Sequence, residues 1–192
     1  MIKTEQAQRA DAPHIARMIM EAMNLDCCQW FAGPHHTLAD FERLMTCLVE
    51  RDDSQYSYLN TIVAADYAES GQRTVAGICV SYDGAKLREL RKAFVDGARA
   101  AFGIDYSNID DETSAGEFYA DSLCVLPEYR GQGIASKLLL ATVEKGRQLG
   151  LPTGLLVDNG NPLAEKLYKR LGFQVVGEHT WGGHNLRRMR MA

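Results

Sequence analysis

The chain has 192 residues, 46% of them hydrophobic and 24% charged, the balance of an ordinary globular protein, which excludes a disordered or collagen-like chain. Lysine and arginine number 21 against 25 aspartates and glutamates, a formal charge of −4, which argues against a body built to grip nucleic acid. Cys27, Cys28, Cys47, Cys79 and Cys124 form no CxxC pair and no even framework, so free thiols in a reducing cytosol are expected, with no metal site. The length suits one domain over residues 1–192. The charged start Met1-Ile2-Lys3-Thr4-Glu5 is unlike a secretory signal, and no apolar run reaches a membrane span; the expectation is a cytoplasmic protein without membrane contact.

Ile2 to Arg9 reads as a short strand. Asp11 then caps a helix with Pro13 in its first turn and Ile15, Met18, Ile19, Ala22 and Met23 on one face. Asn24 to His36, containing Gly33-Pro34, reads as a loop. The adjacent His35 and His36 have no acidic or thiol partner nearby in sequence and decorate that loop rather than bind metal. Thr37, with Asp40 three residues on, opens a helix whose stripe is Phe41, Leu44, Met45 and Leu48. Asn60 to Tyr67 and Arg73 to Tyr82 are strand-like runs joined by the turn formers Glu69-Ser70-Gly71.

The stretch from Gly84 to Ala115 first places Leu87, Leu90, Phe94, Ala98 and Ala101 at helical spacing and stops at Gly103. Its second part is polar, with the tract Asp110-Asp111-Glu112, and reads either as a solvated loop or as a mobile lid. Glu117 to Val125 is a strand, Ile134 to Gly150 an amphipathic helix and Thr153 to Val157 a short apolar strand. Asn161-Pro162 has the cap and first residue of a further helix, which Gly172 ends. Phe173 to Glu178 and Asn185 to Met191 close the chain as strands, with Arg188 and Arg190 alternating with Met189 and Met191. Arg187, Arg188 and Arg190 read as surface charge. The order describes an α/β protein around one sheet.

The run Val125-Leu126-Pro127-Glu128-Tyr129-Arg130-Gly131-Gln132-Gly133-Ile134-Ala135 carries the chemistry. A strand ends at Pro127, and a glycine-rich turn feeds straight into a helix, whose first N–H groups are unpaired at the positive end of the dipole. Gly131 and Gly133 remove side chains that would hold a phosphate away, and Arg130 and Gln132 add donors beside it. Neither GxxxxGK[ST] nor a complete GxGxxG is present, since Ser136 stands where the third glycine would fall.

With Leu123-Cys124-Val125-Leu126-Pro127-Glu128-Tyr129 leading into it, the turn from Arg130 to Ala135 resembles the cofactor motif of the GNAT superfamily of N-acetyltransferases. The segment Asn161-Pro162-Leu163-Ala164-Glu165-Lys166-Leu167-Tyr168-Lys169-Arg170-Leu171-Gly172-Phe173 resembles a second motif of that family. The specific likeness covers Glu117 to Glu178. It implies a central mixed, mostly antiparallel sheet that splays after its fourth strand and is flanked by helices. Gly84 to Ala115 departs from the family's short connection and stands as a helical insertion before that strand.

The resemblance further implies transfer of the acetyl group of acetyl-coenzyme A to an amine, small molecule or peptide, by direct attack in a ternary complex. Arg130, Gly131, Gln132, Gly133, Ile134, Ala135 and Ser136 would hold the pyrophosphate. The backbone of Leu123, Cys124 and Val125 would pair with the pantetheine arm, and Asn161 would bond to it. Tyr168 would face the departing sulfur, and Asp121 would be the base. Tyr119 and Glu117, on the same face of the strand by alternation, are second candidates for shaping the acceptor site. Cys124 beside the thioester reads as a buried strand cysteine rather than a nucleophile. His179 and His184, flanking Trp181-Gly182-Gly183, belong to a loop at the acceptor end. A non-catalytic acyl-coenzyme A-binding module is the alternative reading, and a homodimer is left open.

Overall fold

In the computed structural model, which describes residues 1–192, the strands are Ile2–Gln6 (β1), Thr61–Tyr67 (β2), Arg73–Asp83 (β3), Phe118–Val125 (β4), Thr153–Asp158 (β5), Gln174–Trp181 (β6) and His184–Met191 (β7). They form one sheet in the order β1-β2-β3-β4-β5-β7-β6. Every neighbouring pair is antiparallel except β4 and β5. The helices are Ala12–Met23 (α1), Leu25–Ala32 (α2), Leu38–Glu50 (α3), Leu87–Phe102 (α4), Ile134–Gln148 (α5) and Pro162–Leu171 (α6). Ile15, Ile19, Phe31, Phe41, Met45 and Phe94 from α1 to α4 pack with Val63, Ile78 and Val80 in one core. Ile134, Leu138, Leu139 and Val143 of α5 pack with Leu155, Phe173 and Met189 in another.

β4 and β5 pair only at Phe118–Thr153 and Tyr119–Gly154, after which they part. The splay expected after the fourth strand is therefore present. Asp121 marks its start. Ser81 lies opposite Ala120 and Val80 opposite Ser122, so Asp121 is an extra residue in β4, a bulge of the kind that bends a strand and re-aims its side chains. Ala120 accordingly packs in the α5 core while Cys124, four residues on, packs in the α1 core. Unbroken alternation would have put both on one face.

Several local expectations are corrected. Asn24 to His36 is not all loop, because α2 occupies its middle. Asn24, at φ +71°, accepts the Cys27 N–H on its side chain, and Cys28, Phe31 and Ala32 are buried at helical spacing. β1 ends at Gln6, three residues early. Asp11 makes no side-chain cap; its carboxylate instead accepts two bonds from Arg73, at 2.6 and 3.0 Å, and the Gln8 N–H at 2.9 Å.

Glu117 lies just before β4 and is 1% exposed. It accepts bonds from Thr113 Oγ1 at 2.6 Å, Arg188 at 2.6 Å and Arg190 at 3.0 Å. It is a structural clamp where β4 and β5 meet, not a group shaping the acceptor site, and the arginines are its partners rather than surface charge. Gly154 of β5 lies against it, where a Cβ would strike the carboxylate. Burial pushes the Glu117 carboxyl up, but the bonds from Thr113, Arg188 and Arg190 outweigh it and hold the carboxyl below its ordinary value.

The insertion folds as α4, ended by Gly103 in the left-handed conformation, and an irregular return. Arg91 of α4, itself buried, donates to the carbonyls of Ile109 at 3.2 Å and Asp110 at 3.1 Å, to Asp111 at 2.9 Å, and to Glu112. From the other side, the Trp181 indole donates to the Asp110 carbonyl at 3.1 Å, the Gly182 N–H to its carboxylate at 3.3 Å, and the His179 ring bonds the Asp111 carbonyl at 2.9 Å. Residues 109–112 thus form a strap tying α4 to the β6–β7 hairpin.

Glu117→Gln leaves two arginines without their counter-charge. Because Arg188 and Arg190 are 23% and 40% exposed, the expected loss is about 2–4 kcal/mol at pH 7, below that of a fully buried pair. Since the folded pKa is lowered, the clamp's contribution is present above the unfolded glutamate value and disappears as pH falls through the folded one. Urea unfolding of both proteins should therefore show a gap that closes on acidification; a constant gap contradicts the clamp.

Candidate active site

Gly131 and Gly133 have φ near +77° and +76°, values open to glycine and strained for other residues. Gly133 ends the turn as the residue before α5, and no side chain caps that helix. The first backbone bond there runs from the Lys137 N–H to the Gly133 carbonyl at 3.1 Å, so the N–H groups from Gly131 through Ser136 have no backbone acceptor. A Cβ at Gly131 or Gly133 would meet nothing within 4 Å, so the space before these donors is open. An anion is the partner such a turn suits. Arg130 is turned aside, with Nε on the Val125 carbonyl at 2.9 Å and Nη2 on Glu21 at 2.6 Å, while Gln132 reaches the Glu128 carbonyl at 3.5 Å.

The free edge of β4 leads away from this turn. The Leu126 N–H bonds to the Ala76 carbonyl at 3.0 Å, and Val125 and Leu123 lie opposite Gly77 and Cys79. By antiparallel alternation the backbone groups of Leu123 and Val125 point away from β3 into the opening, whereas those of Cys124 are committed to β3. Cys124 therefore offers no backbone pairing to a ligand in the opening. Its thiol is buried, and burial pushes it up to about 12, far from a thiolate nucleophile.

A groove of about 820 Å³ runs from Arg130, Gly131, Gly133, Ile134, Ala135 and Ser136 past Val125 and Leu123 to Asn161. Beyond it lies a cavity of about 330 Å³. The two share Ala22, Leu123, Asn161 and Ala164 as common wall. Asn161 caps α6, its side-chain oxygen accepting the Ala164 N–H at 3.1 Å, which leaves its NH2 group for the groove. Tyr168 of α6 is half-buried in the cavity wall. Burial, with Cys79 adding to it, pushes its phenol up to about 12, so it is protonated at neutral pH.

Asp121, in the opposite wall, accepts Tyr82 Oη at 2.8 Å on one oxygen and Ser122 Oγ at 2.8 Å on the other. Burial raises its carboxyl against those bonds. Tyr119 is buried beside it with its phenol well above 10, again from burial. Trp181 and His184 reach the cavity from the β6–β7 hairpin; His179 serves the strap instead. Glu112 also lines the cavity. Burial first and Asp121 second raise its carboxyl to about 7, against the pull of Arg91. Neither Glu112 nor Arg91 was picked out from the sequence. The acidic tract was the only signal, and a solvated and a buried acid look alike there.

Unpaired N–H groups at a helix start, opening into a cleft between splayed strands with a phenol and a carboxylate at its end, make up the class of site that an acyltransferase uses. The model of the acetyltransferase (GNAT) family matches residues 21–173, and the chain belongs to that family. Mycothiol acetyltransferase of Nocardiopsis dassonvillei is 32% identical over 152 residues, 71% of this chain and 43% of that protein. The chain spans less than half the length of each curated relative it matches. Among solved structures, an N-acetyltransferase from Staphylococcus aureus Mu50 superposes with a TM-score of 0.82 at 22% identity, covering 98% of this chain and all of that one. A second acetyltransferase gives 0.78 at 28% identity, with 98% of both chains covered.

Tyr82→Phe removes one of the two hydroxyl donors to the half-buried Asp121 carboxylate. A loss of about 1–3 kcal/mol is expected, measured by urea unfolding at pH 7; an unchanged midpoint contradicts the bond.

Proposed function

We propose that the protein is an acetyl-coenzyme A-dependent N-acetyltransferase that acylates an amine by direct attack. The observation that carries this reading is the junction at Leu123, Asn161 and Ala164, where a groove beginning at unpaired helix N–H groups meets a cavity holding Tyr168 and Asp121. The groove fits the cofactor's chemistry. The N–H groups of Gly131, Gln132, Gly133, Ile134, Ala135 and Ser136, with the α5 dipole, suit a pyrophosphate. The backbone of Leu123 and Val125 suits an extended amide-bearing arm, as an added strand would, and Asn161 supplies a further donor.

The bound co-substrate supplies an acetyl thioester. A backbone N–H on the free edge of β4 would donate to its carbonyl oxygen, where negative charge develops during attack. A carboxylate of the cavity takes the proton from the acceptor ammonium, Asp121 being the one to which the family resemblance points. Tyr168, protonated at neutral pH, donates to the departing sulfur. Direct transfer is favoured over an acetyl-cysteine because the Cys124 thiol is buried and held neutral. The acceptor is an amine, and the free thiols agree with a cytoplasmic setting.

Gly133→Val should abolish acetyl-coenzyme A binding by calorimetry while the circular dichroism spectrum is kept; undiminished binding would remove the cradle. Tyr168→Phe should lower kcat by about 10²-fold with the KM for acetyl-coenzyme A nearly unchanged. Thiol release across an amine panel is the direct assay. Tight cofactor binding with no release for any amine would make the protein a non-catalytic acyl-coenzyme A-binding module.

A further inference from the structure

We propose that Glu112, carried into the acceptor cavity by the strap, is the group that takes the proton from the acceptor amine, and that Arg91 is the residue that positions it. The proposal rests on the acetyl-transfer reading and deepens it.

The geometry favours Glu112 over Asp121 for the transfer itself. Both Asp121 oxygens already accept hydroxyl bonds, from Tyr82 and Ser122. Glu112 uses one oxygen, Oε2, on Arg91, while Oε1 accepts no bond from another side chain. Its side chain is 14% exposed and lines the cavity that adjoins the cofactor groove. Arg91 is spread over two carbonyls and two carboxylates of residues 109–112, so its charge is shared rather than spent on Glu112. Trp181, Gly182 and His179 hold the strap from the other side. The carboxylate is thus fixed by two separate elements, as a proton acceptor must be if it is to meet a substrate in one geometry.

The surroundings keep it basic. Arg91 faces it from α4 and Asp121 from β4. The phenols of Tyr56, Tyr82 and Tyr119 stand near enough to feel its charge, and burial keeps all three neutral. Asp158 and His184 lie in the other arm of the cavity wall. Burial first, and the neighbouring Asp121 carboxyl second, raise Glu112 to about 7, the range in which a general base is most effective. Asp121 then acts as the fixed neighbour that tunes it.

In the transfer, the ammonium gives one proton to Glu112 and its freed lone pair forms the C–N bond. The C–S bond breaks with its electrons on sulfur, which takes a proton from Tyr168. A second proton leaves the nitrogen to restore the phenol, and Glu112 releases the first to solvent.

The test compares one alkylamine that the wild type acetylates with its aminooxy analogue, whose nitrogen is already unprotonated at neutral pH. Glu112→Gln should cut kcat/KM for the alkylamine by about 10²-fold or more at pH 7, and much less for the aminooxy compound. Carboxyl ¹³C NMR of glutamate-labelled protein without substrates should show one group titrating near pH 7 that is missing from E112Q. Unchanged alkylamine turnover, or equal losses on both amines, overturns the proposal while wild-type turnover leaves the acetyl-transfer reading standing. No thiol release by the wild type with any amine overturns that reading and the proposal with it. Should E112Q not fold, the wild-type pH profiles decide: an acid limb near pH 7 confined to the alkylamine supports Glu112, and one shared by both amines overturns it.

Discussion

The cleft exists because β4 and β5 are held together at two residue pairs and nowhere else. A parallel pair that short has little backbone bonding to close it. What keeps the pair in register is the Glu117 carboxylate, buried at the vertex and bonded to Arg188 and Arg190 of the strand beyond β5. Gly154 makes the clamp possible by leaving the space the carboxylate occupies. From that vertex the strands diverge, aided by the bulge at Asp121, and the β4 edge from Leu123 to Val125 is left facing a gap rather than a neighbour. An unpaired sheet edge inside a fold is costly unless something bonds to it, and an extended amide chain is the partner that matches it.

The strap answers the clamp at the acceptor end. Residues 109–112 have no helix or strand of their own, and their order derives from Arg91 on one side and the β6–β7 hairpin on the other. The two arms of the sheet are thereby joined twice, at the vertex through Glu117 and across the cavity through the strap. The space between these ties is the cavity lined by Tyr168, Asp121 and Glu112. The long connection before β4 thereby becomes a wall that adds the Glu112 carboxyl to those the sheet already carries there, Asp121 and Asp158.

What was legible in the sequence tracks how local the physics is. The turn from Arg130 to Ser136 and the helix from Pro162 to Leu171 are written in caps, glycines and helical spacing, and both stand where expected. α2 was missed because six of its eight residues are apolar, so that next to Gly33-Pro34 the short run shows no polar face against which a helical period could register. The bulge at Asp121 was invisible for another reason: it is set by pairing with β3, and nothing in Phe118 to Val125 announces it. Strict alternation holds up to the bulge, with Tyr119 beside Asp121 in the cavity wall, and fails across it, where Ala120 and Cys124 enter different cores. Arg188 and Arg190 looked like surface charge because their partner is 71 and 73 residues away. Glu112 shared that fate, its acid neighbours suggesting solvent when one buried guanidinium decides its position.

The mild negative charge of the chain also takes on a local meaning. The helix-start end of the groove presents backbone N–H groups, with Arg130 beside them already paired with Glu21, so an anion there would meet oriented dipoles before any free cation of the turn itself. The cavity beyond concentrates carboxyls instead, with Asp121, Glu112 and Asp158 all in its lining. A cation entering that cavity relieves the mutual repulsion of the carboxyls. A cation that passes its proton to one of them becomes neutral and leaves that carboxyl neutral too, so the attraction between the two is gone. In the proposed acetyl transfer, the electrostatics that draw in an ammonium therefore loosen their hold once it becomes a neutral nucleophile, and the amide product would carry no charge to restore it.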